Sequence, residues 1–241
     1  FMHLIISSDF EEMSGTASED FLFTLEKISK PLICLPSGKT PVVFLRNMRN
    51  YFSRHQNHPD WYFIGLDEWV GVGQDVKGSC RQFFDEHLFI PLGIPEERIS
   101  FFNGIAEDME AECRKAERFI DAHKGIDITV LGIGTNGHLG LNEPGSDPSL
   151  RTQIKSLSES TIIAAKDYFD EPMDVKQGIT LGLKTLLASK TVFLMASGES
   201  KADIIKAVVE GPVTTDIPGS FLQEHSNCFV YLDENAASKL I

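Results

Sequence analysis

Four side chains suited to proton transfer or hydrogen bonding, Asn136, His138, Asn142 and Glu143, fall within one glycine-rich stretch, LGIGTNGHLGLNEPG, from Leu131 to Gly145. A His and a carboxylate five residues apart on one loop can act as an acid–base pair, because imidazole titrates near ~6.5 and the acid can hold its orientation. A second candidate is the adjacent pair Asp67 and Glu68, followed by a loop containing Gly71 and Gly73. Acids so placed can serve as bases, or simply as a solvated turn or helix cap. A third is Ser37-Gly38-Lys39-Thr40, between Pro36 and Pro41. Hydroxyls and a Lys at a helix start can hold a phosphate, and the same residues also suit a plain cap. The loop is not a Walker A sequence. Lys201 sits at another helix start, where a cation opposes the helix dipole. A bound anion would account for it, as would chance placement on a solvated helix.

These groups need elements to position them. Apolar runs at 2–6, 32–35, 61–66, 126–131, 191–196 and 228–232 read as strands, those at 32–35, 126–131 and 191–196 buried, with a short strand at 99–102 and a half-exposed alternating one at 151–157. Helical spacing covers 9–29, stopped by Pro31, then 42–52 with Thr40 as N-cap and Pro41 as first helical residue. It returns at 78–90, 107–123, 158–169 and 197–210, and residues 178–187 read as a short strand running into a helix. Alternating strands and helices predict an α/β fold, a doubly wound, mostly parallel central sheet with helices on both faces. With no composition break, low-complexity linker or internal repeat, residues 1–241 are read as a single domain. Parallel strands place their carboxyl ends on one rim, so all four candidate sites should converge there.

A net charge of −13 argues against nucleic acid and against an anionic membrane surface, yet leaves room for a small phosphorylated ligand. No apolar run approaches the roughly 20 residues of a membrane span, and the Phe1-Met2-His3-Leu4 start lacks the pattern of a signal peptide. Cys34, Cys80, Cys113 and Cys228 show no metal-ligand or CxxC spacing, so they are expected as free buried thiols of a cytoplasmic protein. His55, His58, His87 and His123 are read as surface residues.

In order along the chain, LPSGKTP, LDEWVG, NGHLGLNEPG, ITLGL and SGESKA resemble the amino-sugar-phosphate deaminase/isomerase family over nearly its whole length. NGHxxxNEP is the specific segment. The related 6-phosphogluconolactonases share the glycine-rich strand end and the Gly-His pair but differ where this chain has Asn142-Glu143-Pro144. LDEWVG, NGHLGLNEPG and IPGSFLQEHSN look closest to the galactosamine-6-phosphate branch, with the glucosamine-6-phosphate branch the near alternative. The resemblance implies that an aldose amine 6-phosphate is ring-opened, isomerised to the ketose imine and hydrolysed to ketose 6-phosphate and ammonia. It implies His138 as the ring-opening residue, Glu143 as the carboxylate that supports it, and Asp67 as the base that moves a proton from C2 to C1. Ser37, Gly38, Lys39, Thr40 and Lys201 match the phosphate site, Gly137 and Asn142 are expected on the substrate, and Glu68 is expected to bind the substrate or to tune Asp67. Neither a metal nor a cofactor is expected, and a homo-oligomer is left open.

Two departures from the family pattern matter. Asn136 stands where many members have Asp, which reduces any Asp–His–Glu relay to His138 and Glu143. Gln153 and the Lys166-Asp167 pair stand where the regulated glucosamine enzymes carry Arg. No allosteric activation by an N-acetyl sugar phosphate is therefore expected, and the phosphate site should lean on Lys201. The alternatives are a 6-phosphogluconolactonase, which needs His138 but no carbon base at Asp67, and a non-catalytic sugar-phosphate sensor, for which Asn136 would speak.

Overall fold

The computed structural model describes residues 2–54 and 60–241; His55 and His58 lie outside the described residues. Within these, the strands in chain order are β1 (His3–Ser7), β2 (Leu32–Leu35), β3 (Tyr62–Gly65), β4 (Asp67–Trp69), β5 (Ile99–Ser100), β6 (Ile128–Leu131), β7 (Gln153–Ser156), β8 (Gln177–Thr180), β9 (Thr191–Ala196) and β10 (Cys228–Asp233). The helices are α1 (Phe10–Leu25), α2 (Val42–Arg54), α3 (Cys80–Phe84), α4 (Ile90–Leu92), α5 (Met109–Ala122), α6 (Glu159–Ala165), α7 (Leu183–Leu187), α8 (Ala202–Glu210) and α9 (Glu234–Ala237).

Seven of the described strands form a parallel sheet in the order β1-β10-β9-β6-β2-β3-β5. Its inner strands β2, β6 and β9 are apolar along their length because helices cover both faces, whereas the edge strand β1 leaves Leu4 and Ile6 exposed. Ile33, Ile128, Val130, Phe193 and Met195 face one side, against Met13, Ala17 and Phe21 of α1 and Phe44, Leu45 and Met48 of α2. Leu32, Cys34, Val192 and Leu194 face the other, against Cys113 and Ile120 of α5, Leu183 and Leu186 of α7 and Ile205 and Val208 of α8. Phe21 anchors the first core, edge-on to Phe44 at 5.0 Å and to Phe193 at 6.4 Å. From β2 the chain winds through α2 to β3 on one side, and from β6 it reaches β9 on the other. The winding direction therefore switches between β2 and β6, and an open parallel sheet has a crevice at such a point.

An antiparallel sheet, β4-β8-β7, stands beside the first, with Asp67 opposite Thr180 and Thr180 opposite Gln153. The chain crosses from β3 to β4 over Leu66 alone, whose C=O accepts the Leu181 N–H at 2.9 Å. Trp69, Leu141, Leu157 and Val175 give this sheet a small core of its own.

Three local readings change. The 78–90 helix is not continuous: after α3 it passes through a π-helical turn, Asp85–Phe89, into α4. Helix α2 starts at Val42, with its first bond from the Leu45 N–H to the Pro41 C=O, so Thr40 precedes the helix instead of capping it. His87 and His123 are half-buried, because each lies against aromatic rings: His87 on Phe83, and His123 between Phe119 and Tyr62. All four cysteines are free and buried.

Candidate active site

A cleft of about 400 Å³ opens at the carboxyl ends of β2, β3, β6 and β9. Ser37, Lys39, Thr40, Asp67, Cys80, Asn136, His138, Tyr168 and Lys201 line it.

The chain leaves β6 at Leu131 and folds into a tight loop in which the Gly134 N–H donates to the His138 C=O at 3.2 Å. A Cβ on Gly134 would overlap the His138 ring, so only glycine lets the imidazole lie there. Asn136 fixes that imidazole chemically. Its Oδ1 accepts the His138 backbone N–H at 3.1 Å, and its Nδ2 donates to Glu143 Oε2 at 2.9 Å, so the amide can face only one way. The same Oδ1 lies 2.7 Å from His138 Nδ1. An acceptor there requires a proton on Nδ1, which leaves Nε2 of the neutral ring unprotonated and able to act as a base. Glu143 Oε2 is 3.7 Å from Nδ1, beyond hydrogen-bond reach. The expected electrostatic support of His138 by Glu143 is present as this 3.7 Å contact, but the relay does not reduce to the two of them: Asn136 supplies the hydrogen bonds that bridge them. Burial holds the His138 pKa below its ordinary value; Glu143 pulls it up and Lys201 pushes it down. Burial pushes Glu143 up, but hydrogen bonds from Thr161, Ser158 and Asn136, with His138 nearby, leave it net below the usual carboxylate range.

Asp67 stands at the first position of β4, where the chain changes sheets, and its carboxyl faces the cleft. Burial, reinforced by the neighbouring charge of Glu68, pushes its pKa up to about 7 against the lowering bond from Cys80. Glu68 takes a different path. It is fully buried, and its carboxylate accepts from the backbone N–H of Trp69 (3.0 Å), Cys80 (3.0 Å) and Arg81 (3.0 Å) and from Ser79 Oγ (2.7 Å). Of the two roles expected of Glu68, contact with the substrate is corrected and tuning holds: its charge raises Asp67, and its hydrogen bonds tie the start of α3 to β4. Asn142 is corrected likewise. Fully buried, it donates to the C=O of Leu139 and of Leu181, both at 2.8 Å, and staples the loop to the segment after β8.

The loop after β2 brings Ser37, Lys39 and Thr40 to the cleft wall. Gly38, at φ +103°, turns behind them, where a Cβ would stand 2.9 Å from Tyr168 Oη. Gly137, at φ +85°, also lies off the cleft wall; its C=O accepts the Gly219 N–H at 2.8 Å. Lys201 reaches in from the turn before α8, its Nζ donating to the Ile133 C=O at 2.7 Å, and burial lowers its pKa. Cys80 and Tyr168 are cleft residues absent from the sequence reading. Cys80 is expected from the sequence only as a buried thiol, and its position three residues before Phe83 of an amphipathic segment gives no sign that it reaches the cleft.

The site therefore holds a neutral imidazole with a defined tautomer, a carboxylate titrating near neutrality, and a polar end with two lysines and two hydroxyls. Residues 9–231 match the family model of glucosamine-6-phosphate isomerases/6-phosphogluconolactonase. The chain belongs to this family. It is 38% identical over 243 residues to a glucosamine-6-phosphate deaminase of Clostridioides difficile, covering 99% of this chain and 97% of the relative. It superposes with a TM-score of 0.95 on a structure described as a monomeric glucosamine-6-phosphate deaminase, 32% identical, covering 99% of this chain and all of the other. The 6-phosphogluconolactonase of Trypanosoma brucei shares the fold at a TM-score of 0.78 and 19% identity. Within the family the chain is thus far closer to the deaminases than to this lactonase, and the doubly wound architecture is common to both.

Proposed function

We propose that this protein isomerises and deaminates a hexosamine 6-phosphate, giving ketose 6-phosphate and ammonia. The observation that carries this is Asp67: a carboxylate with its pKa near neutrality, on the same cleft as an imidazole whose free Nε2 can take a proton. The 6-phosphate is held by Ser37, Lys39, Thr40 and Lys201. His138 Nε2 takes the proton of the anomeric hydroxyl and returns it to the ring oxygen, which opens the ring. Asp67 then removes the C2 proton, giving an enolamine, and delivers it to C1. The ketose imine adds water and loses ammonia. One base reaching both carbons suffices for the 1,2-shift, and a pKa near the working pH serves both removal and return.

The names of the relatives favour the gluco epimer, which gives fructose 6-phosphate. The motifs LDEWVG and NGHLGLNEPG favour the galacto epimer, which gives tagatose 6-phosphate. The deciding experiment is ammonia release from both amino sugar phosphates, assayed side by side with wild type and Asp67→Asn. Ammonia from either sugar, abolished by the substitution, is the expected result; no ammonia from either would overturn the reading. Undiminished hydrolysis of 6-phosphogluconolactone by Asp67→Asn, without ammonia release by wild type, would assign the lactonase reaction instead.

A further inference from the structure

Cys80 lines the cleft, and the reaction above gives it no task. It is the buried first residue of α3 and stands between two residues that have one. Its sulfur accepts from Ser37 Oγ at 3.2 Å and donates to Asp67 Oδ1 at 3.4 Å. Three elements enforce this chain: Ser37 follows β2, Asp67 opens β4, and the Cys80 N–H is held by Glu68 Oε1 at 3.0 Å. A thiol is a weak donor, and donation strengthens when its sulfur itself accepts a hydrogen bond.

We propose that Cys80 is a positioning residue that couples the phosphate end of the cleft to the carbon base, its S–H holding Asp67 while the Ser37 hydroxyl sets how strongly it does so. The coupling rests on the reading of Ser37 as a phosphate ligand. In the empty cleft the Ser37 hydroxyl polarises the thiol, and the thiol stabilises the Asp67 anion. A phosphate that draws the Ser37 hydrogen to itself weakens the thiol's donation, and Asp67 becomes the stronger base as the substrate docks. The other ionisable groups around Asp67 are Glu68 on β4, Cys34 on β2 and Tyr168 after α6, with Lys39, His138, Asp167 and Lys201 on the same cleft. The phosphate's own charge also raises Asp67 through space, but that effect needs no donor at position 80.

The test uses the full chain as wild type, Cys80→Ala and Cys80→Ser. The Asp67 carboxyl carbon is titrated by ¹³C NMR, assigned with Asp67→Asn, without and with inorganic phosphate, and the Ser37 amide resonance reports occupancy. Cys80→Ala should raise the midpoint in the free protein by about one pH unit and shrink the further rise caused by phosphate. Cys80→Ser, which can accept and donate, should restore both, and the acid limbs of kcat/KM and kcat should follow the same order. Ser37→Ala, which leaves the thiol in place, should raise the free midpoint as well. Titrations of Cys80→Ala and Ser37→Ala that match wild type would overturn the proposal. A Ser37 amide unmoved by phosphate would overturn the phosphate-site reading and the coupling, while the free-protein comparison would still decide whether the thiol holds Asp67.

Discussion

At the scale of single residues, Asp67 and Asn136 set the pH behaviour. In the proposed reaction Asp67 must be ionised to take a proton, and its pKa stands near 7, whereas His138 stays neutral to lower pH. The acid limb of kcat/KM should therefore have its midpoint near 7 and a slope of about one, read from a pH–rate profile. Asn136→Asp would place a second carboxylate where Nδ2 now donates to Glu143. The added anion favours imidazolium and raises His138 toward the range of Asp67, so the acid limb should steepen toward a slope of about two, with little change above about pH 8. Asp67 also weakens the fold. Between about pH 4 and 7 the folded chain keeps it protonated while the unfolded chain ionises it, so its contribution to stability is lost as pH rises through that window. Asp67→Asn should stabilise the fold above pH 7 by on the order of 4 kcal/mol, raising the thermal midpoint by roughly ten degrees, and leave it unchanged near pH 4. Thermal melts at both pH values check this.

At the scale of elements, the strands were legible because a sheet covered on both faces forces continuous apolar runs, and β2, β6 and β9 are such runs. The loops after them were legible as a rim for the same reason. What the sequence could not separate was Asp67 from Glu68. In a strand, neighbouring side chains point to opposite sides, so the two acids serve different purposes: one faces the cleft, the other anchors α3. Nor could spacing show that Glu143 lies too far from His138 for a hydrogen bond, because that distance depends on how the loop curls over Gly134 and on α6, which supplies the Ser158 N–H to Glu143 at 3.2 Å. The π-helical turn escaped because its apolar spacing, read over a few residues, resembles that of an α-helix. Glu68→Gln replaces a carboxylate by an amide that has one acceptor oxygen for four donors. It should cost roughly 2–3 kcal/mol in denaturant unfolding, and the loosened α3 should lower kcat more than it raises KM.

At the scale of the whole molecule, the net charge of −13 opposes a dianionic phosphate, and the lysines at the cleft offset it only locally. Screening should relieve that repulsion. Raising salt from about 10 to about 150 mM should increase kcat/KM for the sugar phosphate roughly two-fold, the reverse of what a basic protein shows with an anion. A steady decline with salt would mean that Lys39 and Lys201 dominate the approach field.

Between β3 and β4 the chain passes from one sheet to the other over Leu66 alone, so Asp67 enters the cleft from the small antiparallel sheet, whereas Ser37, Lys39, Thr40, His138 and Lys201 enter from loops that follow strands of the large parallel one. The proposed carbon base thus sits on a different sheet from the proposed phosphate ligands and the imidazole. Changes confined to the small sheet would alter which carbon loses its proton and leave the phosphate ligands in place, so related chemistries can be built on one phosphate-holding frame.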